Sequence, residues 1–574
     1  MVIKIGQMLI NKGLITPEQL KVGTSEQRKT GEFIGKILVR CGFLKENNLL
    51  EVLSQQLNIL YVKLKDTTID PAAVKKVPAK LAWHYKVMPI GFTDGKLVIA
   101  TADPLRSLDD VRLFLGHDVR PVLASEGEIM EIIKVHYGVG ADTVEEIIAK
   151  APNKTQETER LKDAAEVEDI EKLGEDASVV KLVNQILLEA HKRRATDVHI
   201  EPFRGTMNIR YRIDGVLYNA NVPEDIGRFF SAIVSRIKIM SKLNIVERRL
   251  PQDGRAVIKI GQDELDLRIS IIPTRYGEGI VIRILPTKML FSLEKLGLES
   301  RDLKTLEGLL DKTHGIILVT GPTGSGKTTT LYACLSQMKS VKTKILTIED
   351  PVEYALEGIS QIQVIPEIGF TFAQGLRSML RHDPDTMMIG EIRDFETGEL
   401  AIRSALTGHL VFSTLHTNDA AGGVARLLNI GIEPYLIVSS VVVFIAQRLV
   451  RVICPQCKEL DTTVSQGLKT IIASDIKQSK TALTGLDIEN VDFYKGKGCK
   501  ACNFTGFKGR MAIYEILVID KVIRELILRK ASTDEIRDEA VSQGMRTLRL
   551  SGWQKVVDGV TTIEEIVRVT QAIE

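Results

Sequence analysis

The sequence predicts an α/β protein: a mostly parallel-sheet core from about residue 296 to the end, preceded by an α+β domain and by small helical and α/β domains at the N-terminus. Three observations carry this. A glycine-rich loop, Gly-Pro-Thr-Gly-Ser-Gly-Lys-Thr at 321–328, stands between a short apolar run and a helix-forming run. From about residue 300 strand patterns alternate with helix patterns, the signature of a parallel sheet with crossover helices. And the first sixty residues repeat with a period of 29: Gly6, Leu9, Gly13 and Ile15 return as Gly35, Leu38, Gly42 and Leu44, and Leu20 and Gln27 return as Leu49 and Gln56.

A chain of 574 residues carries about three to five domains at about 100–200 residues each. Residues 1–60 hold the repeat, which reads as paired amphipathic helical hairpins. Residues 61–150 read as a small α/β domain with a clear strand at Lys96–Ala102. Residues 151–177 read as a solvated linker: 151–176 contain nine acids, four bases and few apolar side chains, a composition unable to bury enough surface to order itself. Residues 178–295 open with an amphipathic helix to about Lys192 and continue with alternating strands at Asp197–Glu201, Met207–Arg212 and Leu265–Ile271. Residues 296–574 form the core, with an insertion at 451–512 and mostly helical residues at 520–574.

Within that core Gly315–Thr320 predicts a buried strand and Lys327–Met338 a helix, the setting of a phosphate-binding P-loop. Glycines 321, 324 and 326 let backbone N–H groups turn inward around phosphate oxygens at a helix N-terminus. Pro322, Thr323, Ser325 and Thr329 complete the candidate loop. Lys327 would reach the β- and γ-phosphates, and the Thr328 hydroxyl would hold Mg²⁺. The chain is therefore expected to bind a nucleoside triphosphate.

Three later strands deliver acids or imidazole to the edge where open α/β sheets bind ligands. Ile345–Ile348 ends in Glu349-Asp350-Pro351-Val352-Glu353, Thr386–Ile389 in Gly390-Glu391-Ile392-Arg393-Asp394, and His409–Thr414 in Leu415-His416-Thr417-Asn418-Asp419. Attack on a γ-phosphate needs a group that orients water. Glu353 and Glu391 are both candidates, and the sequence does not rank them. Arg268 and Arg283 before the P-loop, and Arg377, Arg381 and Arg393 after it, are candidates for neutralising transferred-phosphoryl charge.

Six cysteines comprise Cys41, Cys334 and two C-x-x-C pairs, Cys454/Cys457 and Cys499/Cys502. Two close thiol pairs suit tetrahedral Zn²⁺ with no open position, a structural site tying the insertion to the core. Asp197, His199 and Glu201 alternate onto one strand face like a metal triad, but a polar structural face is the preferred reading.

Together Gly321–Thr328, Thr347–Tyr354, Arg381–Asp385, Gly390–Asp394 and Thr407–Asn418 strongly resemble the secretion ATPases of type II secretion and type IV pilus assembly. The likeness extends to Pro251–Arg255 and Gly544–Arg549. It implies a RecA-like P-loop motor behind a PAS-like α+β domain, assembled as a homohexamer whose subunits each move two domains as rigid bodies. It sets Glu353 in the Asp box, Glu391 in Walker B and His416 in the His box, and assigns Arg268 and Arg283 to the nucleotide from the pre-motor domain. The tetracysteine element is typical of extension or secretion motors. The branch expected from Glu357–Val364 and Arg381–Asp385 is type II secretion, with type IV pilus assembly as the alternative. The N-terminal repeat resembles a second-messenger module in which two 24-residue motifs, here 4–27 and 33–56, bind cyclic di-GMP. That module's motifs open Arg-Leu-Gly, whereas this chain has Lys4-Ile5-Gly6 and Phe33-Ile34-Gly35. Docking to a membrane-anchored partner is the competing role.

The net charge of +2 supplies no basic field for nucleic acid, which counts against a nucleic-acid ring motor. Intact Lys327, Thr328, Glu353 and Glu391 count against a non-hydrolysing scaffold. No apolar run approaches the roughly 18–20 residues of a membrane span; the best, Ile437–Ala446, contains serines. The chain is expected to be cytoplasmic and to reach the inner-membrane platform protein by docking.

Overall fold

The computed structural model describes residues 5–30, 32–104, 118–138, 178–286, 291–477 and 488–570, with 111, 112, 115, 140, 141, 143, 168 and 169 between them. Lys4 and nearly all of the 151–177 segment lie outside the described residues. The chain divides into two compact units, Met1–Pro286 and Thr287–Glu574.

The first unit opens with helices Ile5–Asn11, Pro17–Thr30, Ile34–Arg40 and Glu46–Leu57. The repeat is a packing repeat. A Cβ on Gly6 would stand 2.7 Å from Leu20 Cδ1, and one on Gly35 would stand 2.7 Å from Leu49 Cδ1. The same close approach, helix to helix, is thus made twice, and Leu9, Leu38, Ile15, Leu44 and Leu49 share one small core. Strands β1 (Val87–Thr93), β2 (Lys96–Thr101) and β3 (Val119–Leu123) then form a three-stranded sheet in that order.

The rest of this unit is one seven-stranded sheet. Its strands are β4 (Glu168–Asp169), β5 (Ala195–Phe203), β6 (Thr206–Ile213), β7 (Val216–Asn219), β8 (Gln252–Ile260), β9 (Asp263–Thr274) and β10 (Gly277–Pro286), ordered β4-β8-β9-β10-β5-β6-β7. Period-2 alternation sends Val198, Ile200, Leu267, Ile269, Ile280 and Ile282 into a core shared with helices Ser178–Lys192 and Phe230–Met240. The intervening residues form a polar face on which Asp197 faces Arg283, and Arg283 faces Arg268, across neighbouring strands.

The second unit is built on β11 (Gly315–Thr320), β12 (Ile345–Glu349), β13 (Ser360–Gln363), β14 (Thr386–Ile389), β15 (Leu410–Leu415), β16 (Val441–Ile453) and β19 (Phe507–Val518), with a side ribbon of β17 (Lys458–Leu460) and β18 (Tyr494–Gly496). The order is β13-β12-β14-β15-β11-β16-β19. All neighbours are parallel except β16 and β19. Every residue of β11 is buried, because both faces of a parallel sheet are covered. Ile316 and Leu318 enter one core and Ile317 and Val319 the other. The P-loop strand β11 is separated from the Glu391 strand β14 by the His416 strand β15, giving the RecA-like core that the resemblance implies. The apolar run at Ile437–Ala446 is divided between helix Pro434–Ser440 and β16. No helix among the described residues is long and apolar enough to cross a membrane.

Candidate nucleotide site and metal centre

Sequence forces the loop at 321–328 into its shape. Gly321 and Gly326 hold φ of 150° and 90°, where L side chains rarely go, and each lies against its surroundings. A Cβ on Gly321 would meet Ser325 Oγ at 2.5 Å and Gln447 O at 2.7 Å, and one on Gly326 would meet Gln447 Nε2 at 2.8 Å. The helix starts at Lys327, so its unbonded N–H groups and positive dipole end face the loop. Lys327 is largely buried, and its Nζ donates to the carbonyls of Gly321 at 2.8 Å and Pro322 at 3.2 Å. Burial lowers its pKa, and the negative charge of Glu391 opposes that shift. Ser325 Oγ is buried without a hydrogen-bond partner, an orphan that a phosphate oxygen would satisfy. The cradle fits an anion. Pro322, Thr323 and Gly324 are exposed at the loop tip, and Thr328 and Thr329 are half-buried in the first helical turn.

The acids divide by environment. Glu391 follows β14 and is 12% exposed; His416, after β15, lies 3.1 Å from it through Nε2. Arg393 forms an ion pair with its other oxygen. Burial pushes the Glu391 carboxyl up, but hydrogen bonds from Arg393 and His416 outweigh it and hold the group below the usual carboxylate range. Glu391 is thus an oriented, ionised carboxylate whose charge reaches Lys327. Glu349, at the end of β12, is different. Thr347 Oγ1 at 2.6 Å, Gln361 Nε2 at 3.1 Å and the Tyr332 hydroxyl all donate to it. Burial raises its pKa, and the charge of nearby Glu353 adds to the rise. It is a locked structural group, with Glu353 half-buried beside it.

The four paired cysteines converge. Cys454 and Cys499, Cys457 and Cys502, and Cys499 and Cys502 have Sγ–Sγ distances of 3.8 Å, and all four Sγ atoms lie within 4.8 Å of one another. A tetrahedron with metal–sulfur bonds of about 2.3 Å has edges of about 3.8 Å, so the thiols fit zinc. Gly498 N and Cys499 N donate to Cys457 Sγ at 3.3 Å and Cys502 Sγ at 3.1 Å, as a thiolate cluster needs. Among the described residues this is the one group of ligand atoms so arranged. Asp197, His199 and Glu201 do not form a metal triad: Asp197 is taken by Arg283 at 3.2 Å and Glu201 by Arg210 at 2.7 Å.

Comparison with known proteins places this geometry in a family. The model for "Type II/IV secretion system protein" matches residues 172–568, and that for the MshEN domain matches residues 57–143. The chain belongs to this family of secretion and pilus-assembly ATPases. The type IV pilus assembly ATPase PilB of Myxococcus xanthus is 42% identical over 98% of both chains. Type II secretion system protein E of Xanthomonas campestris is 39% identical over 99% of this chain and 98% of its own. The type II secretion system ATPase E of Vibrio cholerae is 37% identical over 88% of this chain and 100% of its own. The MshEN match at 57–143 begins where the 29-residue repeat ends.

In this secretion ATPase the candidate arginines have separate surroundings. Arg393 joins Glu391. Arg377 pairs with Glu396 at the start of the next helix, Phe395–Leu406, and Arg381 donates to the Arg377 carbonyl at 2.8 Å. Arg268 and Arg283 lie on the polar face of the first unit, 22% and 53% exposed. Two residues that sequence reading missed belong to the site. Buried Gln447 on β16 bonds Ser325 O and Thr330 Oγ1, and Arg448 donates to Asn418 O at 2.8 Å. They fall inside a strand whose hydrophobic pattern dominates the reading; a polar Gln-Arg pair interrupting a mostly buried strand is the signal that could have found them.

Proposed function

We propose that this chain is a Mg-dependent ATPase that works as a homohexamer and turns hydrolysis into assembly of a pilin-like filament at the inner membrane. Glu391, oriented by His416 and Arg393 and felt electrostatically at Lys327, is the observation that carries the reading: an ionised carboxylate beside a phosphate cradle can orient the attacking water. Lys327 neutralises β/γ-phosphate charge, Thr328 would hold Mg²⁺, and Mg²⁺ would supply charge neutralisation there. Glu353 is the alternative base. Arg268 and Arg283 are assigned to completing the nucleotide site. Zn²⁺ on Cys454, Cys457, Cys499 and Cys502 is structural. Cyclic di-GMP is assigned to the 4–27 and 33–56 motifs on their spacing, with partner docking as the competing role. The chain is cytoplasmic and meets an inner-membrane platform protein.

The branch is type II secretion, supported by Glu357–Val364 and Arg381–Asp385. A second reading, type IV pilus assembly, is favoured by the Myxococcus xanthus relative at 42% identity. Replacing the chromosomal copy with Lys327→Ala and scoring secreted enzymes against surface pili tests both. Loss of secretion with pili intact supports type II, and loss of pili alone selects the second reading. Loss of neither would overturn the motor assignment.

A further inference from the structure

We propose that Gln447 is a positioning residue that holds the P-loop in its phosphate-binding shape, an inference that rests on the nucleotide reading above. The parallel register sets Thr320, the last residue of β11, beside Ala446 of β16. Where β11 turns into the loop, β16 runs on, and its next residue lies against the loop. Gln447 is 1% exposed. Its Oε1 accepts from Thr330 Oγ1 at 2.7 Å, and its Nε2 donates to Ser325 O at 2.9 Å. Since a carbonyl can only accept, the amide has one workable orientation. Its backbone oxygen and Nε2 are among the atoms that a side chain on Gly321 or Gly326, respectively, would strike. One residue therefore bonds the end of the loop that leads into the helix and the helix itself, while its backbone lies close against Gly321.

The consequence follows from peptide geometry. In a planar trans peptide the C=O and the following N–H point in opposite directions. Drawing the Ser325 carbonyl out toward Gln447 Nε2 aims the Gly326 N–H the other way, away from β16 and into the cradle. An anion there is bound by donors that need no rearrangement on arrival. An amide is the required chemistry. Leucine would leave Ser325 O without its donor and remove the acceptor that the Thr330 hydroxyl uses, and glutamate would turn two acceptors and a negative charge toward a carbonyl and an incoming phosphate.

The test is ATP turnover by the full chain as a function of Mg-ATP concentration, together with ADP affinity, for wild type, Gln447→Leu, Gln447→Glu, Thr330→Val and Lys327→Ala. Gln447→Leu is expected to raise KM for ATP and Kd for ADP together by about tenfold, the size of one lost charge-assisted hydrogen bond, with kcat at saturation changed by less than about threefold. Gln447→Glu should weaken both further. Thr330→Val, which keeps the amide but removes its anchor, should give a smaller increase of the same kind and serves if the Gln447 variants fail to fold. Wild-type KM and ADP affinity in folded Gln447→Leu, or in Thr330→Val when the former does not fold, would overturn the proposal, as would a fall in kcat with KM unchanged. Failure of the underlying reading looks different: wild type would bind no nucleotide, or Lys327→Ala would bind it as well as wild type.

Discussion

At the residue scale the proposed chemistry turns on Glu391 and Lys327. Glu391 is pulled toward the neutral form by burial and returned to the ionised form by Arg393 and His416; its charge is available because its neighbours hold it. Glu391→Gln keeps the shape but cannot orient water as a base, so ATP should be retained while single-turnover hydrolysis slows by at least about 10²-fold, within the range for removing a general base. Rapid-quench measurement of phosphate formation checks it, and an undiminished rate would return the role to Glu353. His416→Ala should slow hydrolysis less, because Arg393 still holds the carboxylate. The sequence could nominate both glutamates but not separate them, since ranking depends on which strand end meets the lysine across the sheet.

At the element scale β16 links the nucleotide loop to the rest of its unit. From Gln447 and Arg448 it runs to Arg451, whose guanidinium lies 4.0 Å from the Phe507 ring centroid and pairs with Glu565 at 2.7 Å, and then to Cys454 of the four-thiol cluster. Glu565, 2% exposed, also pairs with Arg568 at 2.7 Å. Burial pushes its carboxyl up, but Arg568 and Arg451 prevail and bring it from 4.5 down to about 2. With the folded pKa below the unfolded one, this group's stabilisation is complete above about pH 4.5 and is lost as pH falls toward about 2. Glu565→Gln should therefore cost about 3–5 kcal/mol at neutral pH, the scale of breaking a buried ion pair, and should flatten the pH dependence across that window. Fluorescence of Trp553 during denaturant titrations at several pH values reads both; an equal cost at pH 7 and pH 2 would contradict it.

The metal element yields a second expectation. One zinc per chain should be found, with Cys41 and Cys334 as free thiols. Cys499→Ser should release the metal and loosen the knuckles, lowering stability and ring assembly before altering nucleotide chemistry. Elemental analysis showing no zinc, with all four thiols titratable in the folded protein, would remove the site. The C-x-x-C pairs were legible because their chemistry is local and distinctive. Strands β11 and β14 were legible to the residue because continuous apolar runs ended at glycine or acid. The Gln447 brace was not, because a lone amide in a buried strand acquires meaning only from the neighbour that the sheet order supplies.

At the scale of the whole molecule, the 29-residue repeat was visible in sequence because at two glycines a leucine packs where an added Cβ would stand only 2.7 Å from it, and such close approaches leave little choice of residue. Arg268 and Arg283 illustrate the opposite case: they belong to the first unit, and their assignment to the nucleotide is a proposal about the assembled ring. If it holds, Arg268→Ala should cut turnover far more than ATP affinity, by about 10³-fold on the scale of arginine fingers. Recovery of activity on mixing Arg268→Ala with Lys327→Ala subunits would assign the arginine to action across the subunit interface.

If the loop at 321–328 and Glu391 form one ATP-hydrolysing site, both must be intact for turnover. The most direct measurement is steady-state phosphate release by the purified full chain at saturating Mg-ATP, with bound nucleotide quantified in the same samples. Wild type should show turnover with bound ATP and ADP, Lys327→Ala neither turnover nor bound nucleotide, and Glu391→Gln bound ATP without turnover. Wild-type turnover in either variant would contradict it.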